Sequence, residues 1–67
     1  MGWKVVKTLF DYTANNDEEL NFTADSILYI IDDQDPSWWL AKDKDGQTGY
    51  IPTNYVDQVL IIFFFFF

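Results

Sequence analysis

The chain has 67 residues, no cysteine, no histidine, four Lys+Arg against eleven Asp+Glu, and a formal net charge of −7. That length leaves room for one small domain; no disulfide or thiolate zinc site can staple it, and neither an imidazole nor a thiol is there for catalysis. The negative field repels nucleic-acid phosphates and anionic membranes and attracts basic segments.

Val5–Tyr12 (V-V-K-T-L-F-D-Y) is β-branched and aromatic and predicts a first strand. Thr13–Leu20 is polar and predicts a loop or irregular hairpin, with Leu20 and Phe22 on a returning strand. Ile27–Ile31 (I-L-Y-I-I) predicts a short strand packed on both faces. Asp32–Ser37 is a turn cluster, and Trp38–Lys42 predicts the next strand. Asp43–Gln47 carries Asp-Gly, a hairpin signal because Gly46 accepts positive φ, and Thr48–Ile51 pairs back. Pro52–Tyr55 is long enough only for a single 3₁₀ turn, and Val56 begins a last strand.

Short strands between turn signals, without helical periodicity, predict an all-β fold, and about five strands close best as a small barrel. Period-two alternation nominates Val6, Thr8, Leu20, Phe22, Leu28, Ile30, Ala41, Ile51 and Val56 as the inward set. Phe10, Tyr12, Trp38, Pro52 and Tyr55 are not needed for that core. Either these side chains finish the ends of a small barrel, or they share one surface beside an acidic loop.

Four segments resemble the Src-homology-3 (SH3) family. Thr8-Leu9-Phe10-Asp11-Tyr12 is similar to the family's Ala-Leu-Tyr-Asp-Tyr motif, and Glu19-Leu20-Asn21-Phe22 to its acid-Leu-x-Phe segment. Trp38-Trp39 matches its tryptophan pair, and Gly49-Tyr50-Ile51-Pro52-Thr53-Asn54-Tyr55-Val56 its closing motif. The order and spacing of all four make the resemblance specific.

The resemblance implies a five-stranded barrel with a short 3₁₀ turn before its last strand, spanning residues 4–58. It also implies a non-catalytic interaction module without cofactor or metal. Phe10, Tyr12, Trp38, Pro52, Asn54 and Tyr55 would form a groove for proline-rich peptides, which present a stiff polyproline II helix. The Trp38 indole, the Asn54 amide and a Tyr12 or Tyr55 hydroxyl would donate to peptide carbonyls. Tyr50 is assigned mainly to the core. Asp17, Glu18 and Glu19 would hold a flanking Arg or Lys, Glu19 foremost, with Asp33 and Asp35 widening the pocket. Arg suits the pocket better than Lys, because its planar fork meets a carboxylate bidentately and stacks on an indole. A rival reading is an aromatic cage for methylated lysine. A carboxylate enzyme would need paired buried acids, whereas these acids cluster in loops. The missing cysteines suit a cytoplasmic setting, and Met1–Thr8 does not read as a signal peptide.

Three features depart from the family. Phe10 replaces a tyrosine, and Thr8 places a hydroxyl where a small apolar residue is usual, so the hydroxyl needs a partner. Asp25 stands where a glycine is expected in a turn, at a cost in strain. The end, Val59–Phe67 (V-L-I-I-F-F-F-F-F), lies outside the family pattern. It is too short to span a bilayer as a helix and carries the signature of an aggregating strand. It reads as an extension foreign to the domain, a self-association segment, or an anchor, and it could fold back on the aromatic groove.

Overall fold

The computed structural model describes residues 4–59, with side chains for 4–57. Five strands follow in order: β1 Lys4–Thr8, β2 Ile27–Asp32, β3 Trp38–Lys42, β4 Thr48–Pro52 and β5 Val56–Val59, with a 3₁₀ turn, Thr53–Tyr55, before the last. All pair antiparallel in one curled sheet of order β4-β3-β2-β1-β5. Val59 belongs to β5, opposite Val5, so the domain runs one residue past the expected boundary. Expectations for Leu60–Phe67 fall outside the described residues.

Alternation places one face of each strand on the core. Val6, Leu20, Phe22, Leu28, Ile30, Ala41 and Ile51 are buried, and Val56 packs half-buried against them. β2 departs from expectation: it is covered on one face only, with Leu28 and Ile30 inward and Ile27, Tyr29 and Ile31 exposed. In an antiparallel sheet with a single core, the outer face meets solvent. Ile31 sits at a bulge between the Ile30–Ala41 and Asp32–Leu40 pairs.

The first strand is also shorter than its β-propensity suggests. It stops at Thr8, because the next donor turns elsewhere: the Leu9 N–H bonds to the Tyr55 carbonyl at 2.8 Å. Thr8 is fully buried, and its hydroxyl donates to the Thr23 carbonyl (2.6 Å) and accepts the Ser26 N–H (2.8 Å). The partner demanded by a buried hydroxyl is therefore the turn that precedes β2. No regular strand forms at Leu20–Phe22. Two isolated bridges, Tyr12–Phe22 and Glu19–Tyr50, carry the irregular hairpin across to β4 and curl the sheet toward closure.

Both expected left-handed positions occur, at Gly46 (φ 86°) and Asp25 (φ 64°). Gly46 ends the β3–β4 loop, where its N–H bonds the Asp43 carbonyl at 3.1 Å. Asp25 is the strained one, since a Cβ disfavours this region. Its contact with Lys7, at 3.6 Å between exposed groups, returns little. Asp25→Gly is expected to raise the melting temperature, by up to about 1 kcal/mol of stability. A lower melting temperature in thermal denaturation contradicts the strain argument.

Candidate peptide-binding groove

Strand parity decides which tryptophan can reach a ligand. Ala41 points inward, so Trp39 packs on the core and Trp38 faces out, 38% exposed. The Asp35 carboxylate fixes the start of β3 by accepting the Ser37 and Trp38 N–H groups, each at 2.9 Å. Opposite Trp38 in the β3–β4 register lies Pro52, and the 3₁₀ turn follows it.

Tyr12 is the hub of the aromatic cluster. Its ring lies edge-on to Trp38 (6.4 Å, 63°) and to Tyr55 (5.3 Å, 76°), and it stacks on Phe22 (5.5 Å, 26°). Phe10 meets Tyr55 edge-on at 5.6 Å and is itself 56% exposed. Residues distant in sequence thus form one continuous aromatic surface: Phe10, Tyr55, Tyr12, Trp38. Asn54 is exposed beside it.

The acidic loop is anchored to this surface through Glu19. Its Oε1 accepts the Tyr12 hydroxyl (2.6 Å) and the Asn15 N–H (2.9 Å), and Asn16 Nδ2 approaches Oε2 at 3.5 Å. The Asn15 N–H and then the Tyr12 hydroxyl hold the Glu19 carboxyl below the ordinary range, against a small opposing effect of burial. The Tyr12 phenol is pushed up to about 12, chiefly by donating to Glu19, then by burial and by the Glu19 charge. Asp17 and Glu18 stand exposed at the loop tip.

Several assignments change in three dimensions. The Tyr12 hydroxyl already donates to Glu19, so Tyr55 is the tyrosine left to donate to a ligand. Pro52 is buried, a wall behind Trp38 rather than an exposed ridge. Tyr50, assigned to the core, is 41% exposed and bridges Glu19, which puts it beside the acidic loop. Alternation along β4 carried a signal for this, since Ile51 points inward. Asp33 pairs with Lys4 at 2.7 Å, and that ammonium also lies 4.3 Å from the Trp39 ring. Asp33 and the capping Asp35 are therefore committed to structure and add little reach to the pocket. Among the described residues, no group of three or more His, Cys, Asp or Glu could hold a metal ion, and no helix is long and apolar enough to cross a membrane.

Residues 7–53 match the SH3 domain family. The C-terminal SH3 domain of myosin IB from Entamoeba histolytica, solved bound to an EhFP10(GEF) peptide, aligns with TM-score 0.83 and 43% identity over 90% of this chain and 98% of that one. CED-2 aligns with TM-score 0.81 and 32% identity, over 84% of this chain and 33% of its own. The actin cytoskeleton-regulatory complex protein SLA1 of Mycosarcoma maydis is 41% identical over 66 residues, which span 78% of this chain and 6% of that protein. With the curled five-stranded sheet, the turn before its last strand and this family match, the chain belongs to the SH3 domain family.

Proposed function

We propose that this domain is a non-catalytic module that binds proline-rich segments flanked by Arg or Lys, within a larger cytoplasmic adaptor or cytoskeletal protein. The observation that carries the reading is the aromatic surface of Phe10, Tyr55, Tyr12 and Trp38 running up to an acidic loop. A polyproline II segment is stiff before binding, so flat rings need order little of it. The Trp38 indole, the Asn54 amide and the Tyr55 hydroxyl are the donors for its carbonyls. Pro52 backs the slot beside Trp38. Asp17, Glu18 and Glu19 take the basic flank, with Tyr50 as a neighbouring wall. The peptide-bound myosin IB domain supports a peptide ligand, and the myosin and SLA1 relatives support the cytoskeletal setting.

Contact geometry disfavours the methyl-lysine cage. Ring centroids at 5.3–6.4 Å in edge-on contact leave no gap between facing rings for a quaternary ammonium. Amide chemical-shift mapping separates the two readings. A proline-rich peptide carrying Arg should shift Trp38, Asn54 and Tyr55 with a dissociation constant of order micromolar, about −8 kcal/mol. A trimethyl-lysine peptide should shift none of them. The reverse pattern refutes the proposal.

Glu19→Gln should weaken an Arg-flanked ligand more than a plain proline repeat, and added salt should shrink the difference. The carboxylate also sets a pH dependence. Its folded pKa is depressed, so its contribution to stability is present above the ordinary Glu range and lost as pH falls through the lowered value. Arg preference should disappear over that same acid window in wild type and be flat with pH in Glu19→Gln. A preference unchanged by the substitution argues against ion pairing at Glu19. Self-association through the Phe-rich end rests on its sequence. Sedimentation of the chain with and without residues 63–67 tests it, and deletion should abolish any assembly.

A further inference from the structure

A second concavity, of about 770 Å³, lies between the back of the Tyr12–Phe22 hairpin, the Ala24–Asp25 turn and the β3–β4 loop. Of the candidate groove residues, only Tyr12 also lines it. Its size falls within the usual span for ligand sites, roughly 300–1,000 Å³. We propose that it is a separate docking site for a basic peptide segment that carries apolar side chains.

Floor and rim argue for that occupant. Ile27 and Tyr29 stand 42% and 41% exposed on the outer face of β2, above the buried Leu28 and Phe22. Carboxylates surround this floor: Asp11 and Asp25 on one side, Asp43 and Asp45 on the other, with Lys44 the one basic residue in the lining. Two of these acids are held in place before any ligand arrives. Asp11 accepts the Ala24 N–H at 2.7 Å, and Asp43 accepts the Asp45 and Gln47 N–H groups at 2.9 Å each. A fixed anionic rim loses little side-chain entropy on binding, and its sign selects a cationic partner. The outer-facing apolar pair gives that partner area to bury.

The test uses the full chain and a defined probe, the blocked hexapeptide of alternating Arg and Phe. Amide shifts are expected at Ile27, Tyr29 and Asp45, with the Trp38 indole unmoved. Asp45→Lys should weaken the probe about fivefold, as reversal of an exposed charge would. Tyr29→Ser should weaken it through lost apolar contact, and Trp38→Lys should leave it unchanged. Both Asp45 and Tyr29 are exposed, so their variants should fold, and unchanged melting temperatures check this. The proposal is overturned by shifts confined to Trp38 and Tyr55, by no shifts at probe concentrations of about 1 mM, or by equal affinity for Asp45→Lys. Concentration-dependent shifts at Ile27 and Tyr29 without probe overturn it in favour of a second copy of the chain. None of these readouts depends on the proline-rich reading.

Discussion

Trp38→Lys is expected to abolish binding of a proline-rich peptide while leaving the fold intact. The indole is 38% exposed, faces away from the core and touches Tyr12 edge-on at 6.4 Å. Removing it deletes a wall of the slot, an N–H donor and the surface on which an Arg would stack. A buried aromatic anchor of this kind commonly carries more than about 2 kcal/mol of binding, at least about thirtyfold in affinity. The introduced ammonium adds repulsion against a basic flank. Stability should change little, because the core contacts on β3 belong to Trp39 and Ala41. Isothermal titration and thermal melts measure the two effects separately. Retained affinity with an unchanged melt would remove Trp38 from the groove.

Gly49→Ala is expected to destabilise the domain more than any exposed substitution. Gly49 is buried in β4, opposite Ala41. A Cβ there would lie 2.7 Å from the Leu20 nitrogen, 2.8 Å from the Glu19 carbonyl carbon and 3.0 Å from the Leu20 Cα. All three are backbone atoms, so rotation of a side chain cannot relieve the clash. The acidic segment must move away, straining the bonds from Tyr50 N–H to the Glu18 carbonyl (2.8 Å) and from Leu20 N–H to the Tyr50 carbonyl (3.0 Å). Overpacking and weakened hydrogen bonds together should cost roughly 2–4 kcal/mol, a large share of the stability of so small a domain. Urea denaturation should show a lower midpoint. Because Glu19 moves with the segment, preference for an Arg-flanked peptide should fall too. An unchanged midpoint would mean that the hairpin is not seated against β4 as described.

Both substitutions act where the barrel and the candidate site share residues. Glu19 pins the loop to Tyr12, Leu20 is core, and Tyr50 lies between them. The acidic loop is therefore held from two sides, by the Gly49 contact and by the hydrogen bonds to Glu19. An ion pair with a ligand can form there without ordering a free loop first, which lowers its cost.

Strand order, the turns at Asp43–Gln47 and Thr53–Tyr55, and the inward set were legible in the residues, because period-two alternation and turn chemistry are local properties. The left-handed positions at Gly46 and Asp25 were legible for the same reason. The short first strand, the one-sided cover of β2, the burial of Pro52 and the exposure of Tyr50 were not. Each depends on which distant segment arrives to cover a residue, and alternation names a face without naming its neighbour. Polar commitments were hidden in the same way. Tyr12 donates to Glu19, Asp33 pairs with Lys4, and Thr8 bonds across to Thr23 and Ser26. The aromatic and acidic residues announce a surface that suits proline-rich, basic ligands. Only the tertiary structure decides which hydroxyls and carboxylates remain free for one, because hydrogen bonds between loops follow their paths in space and leave no period in the sequence.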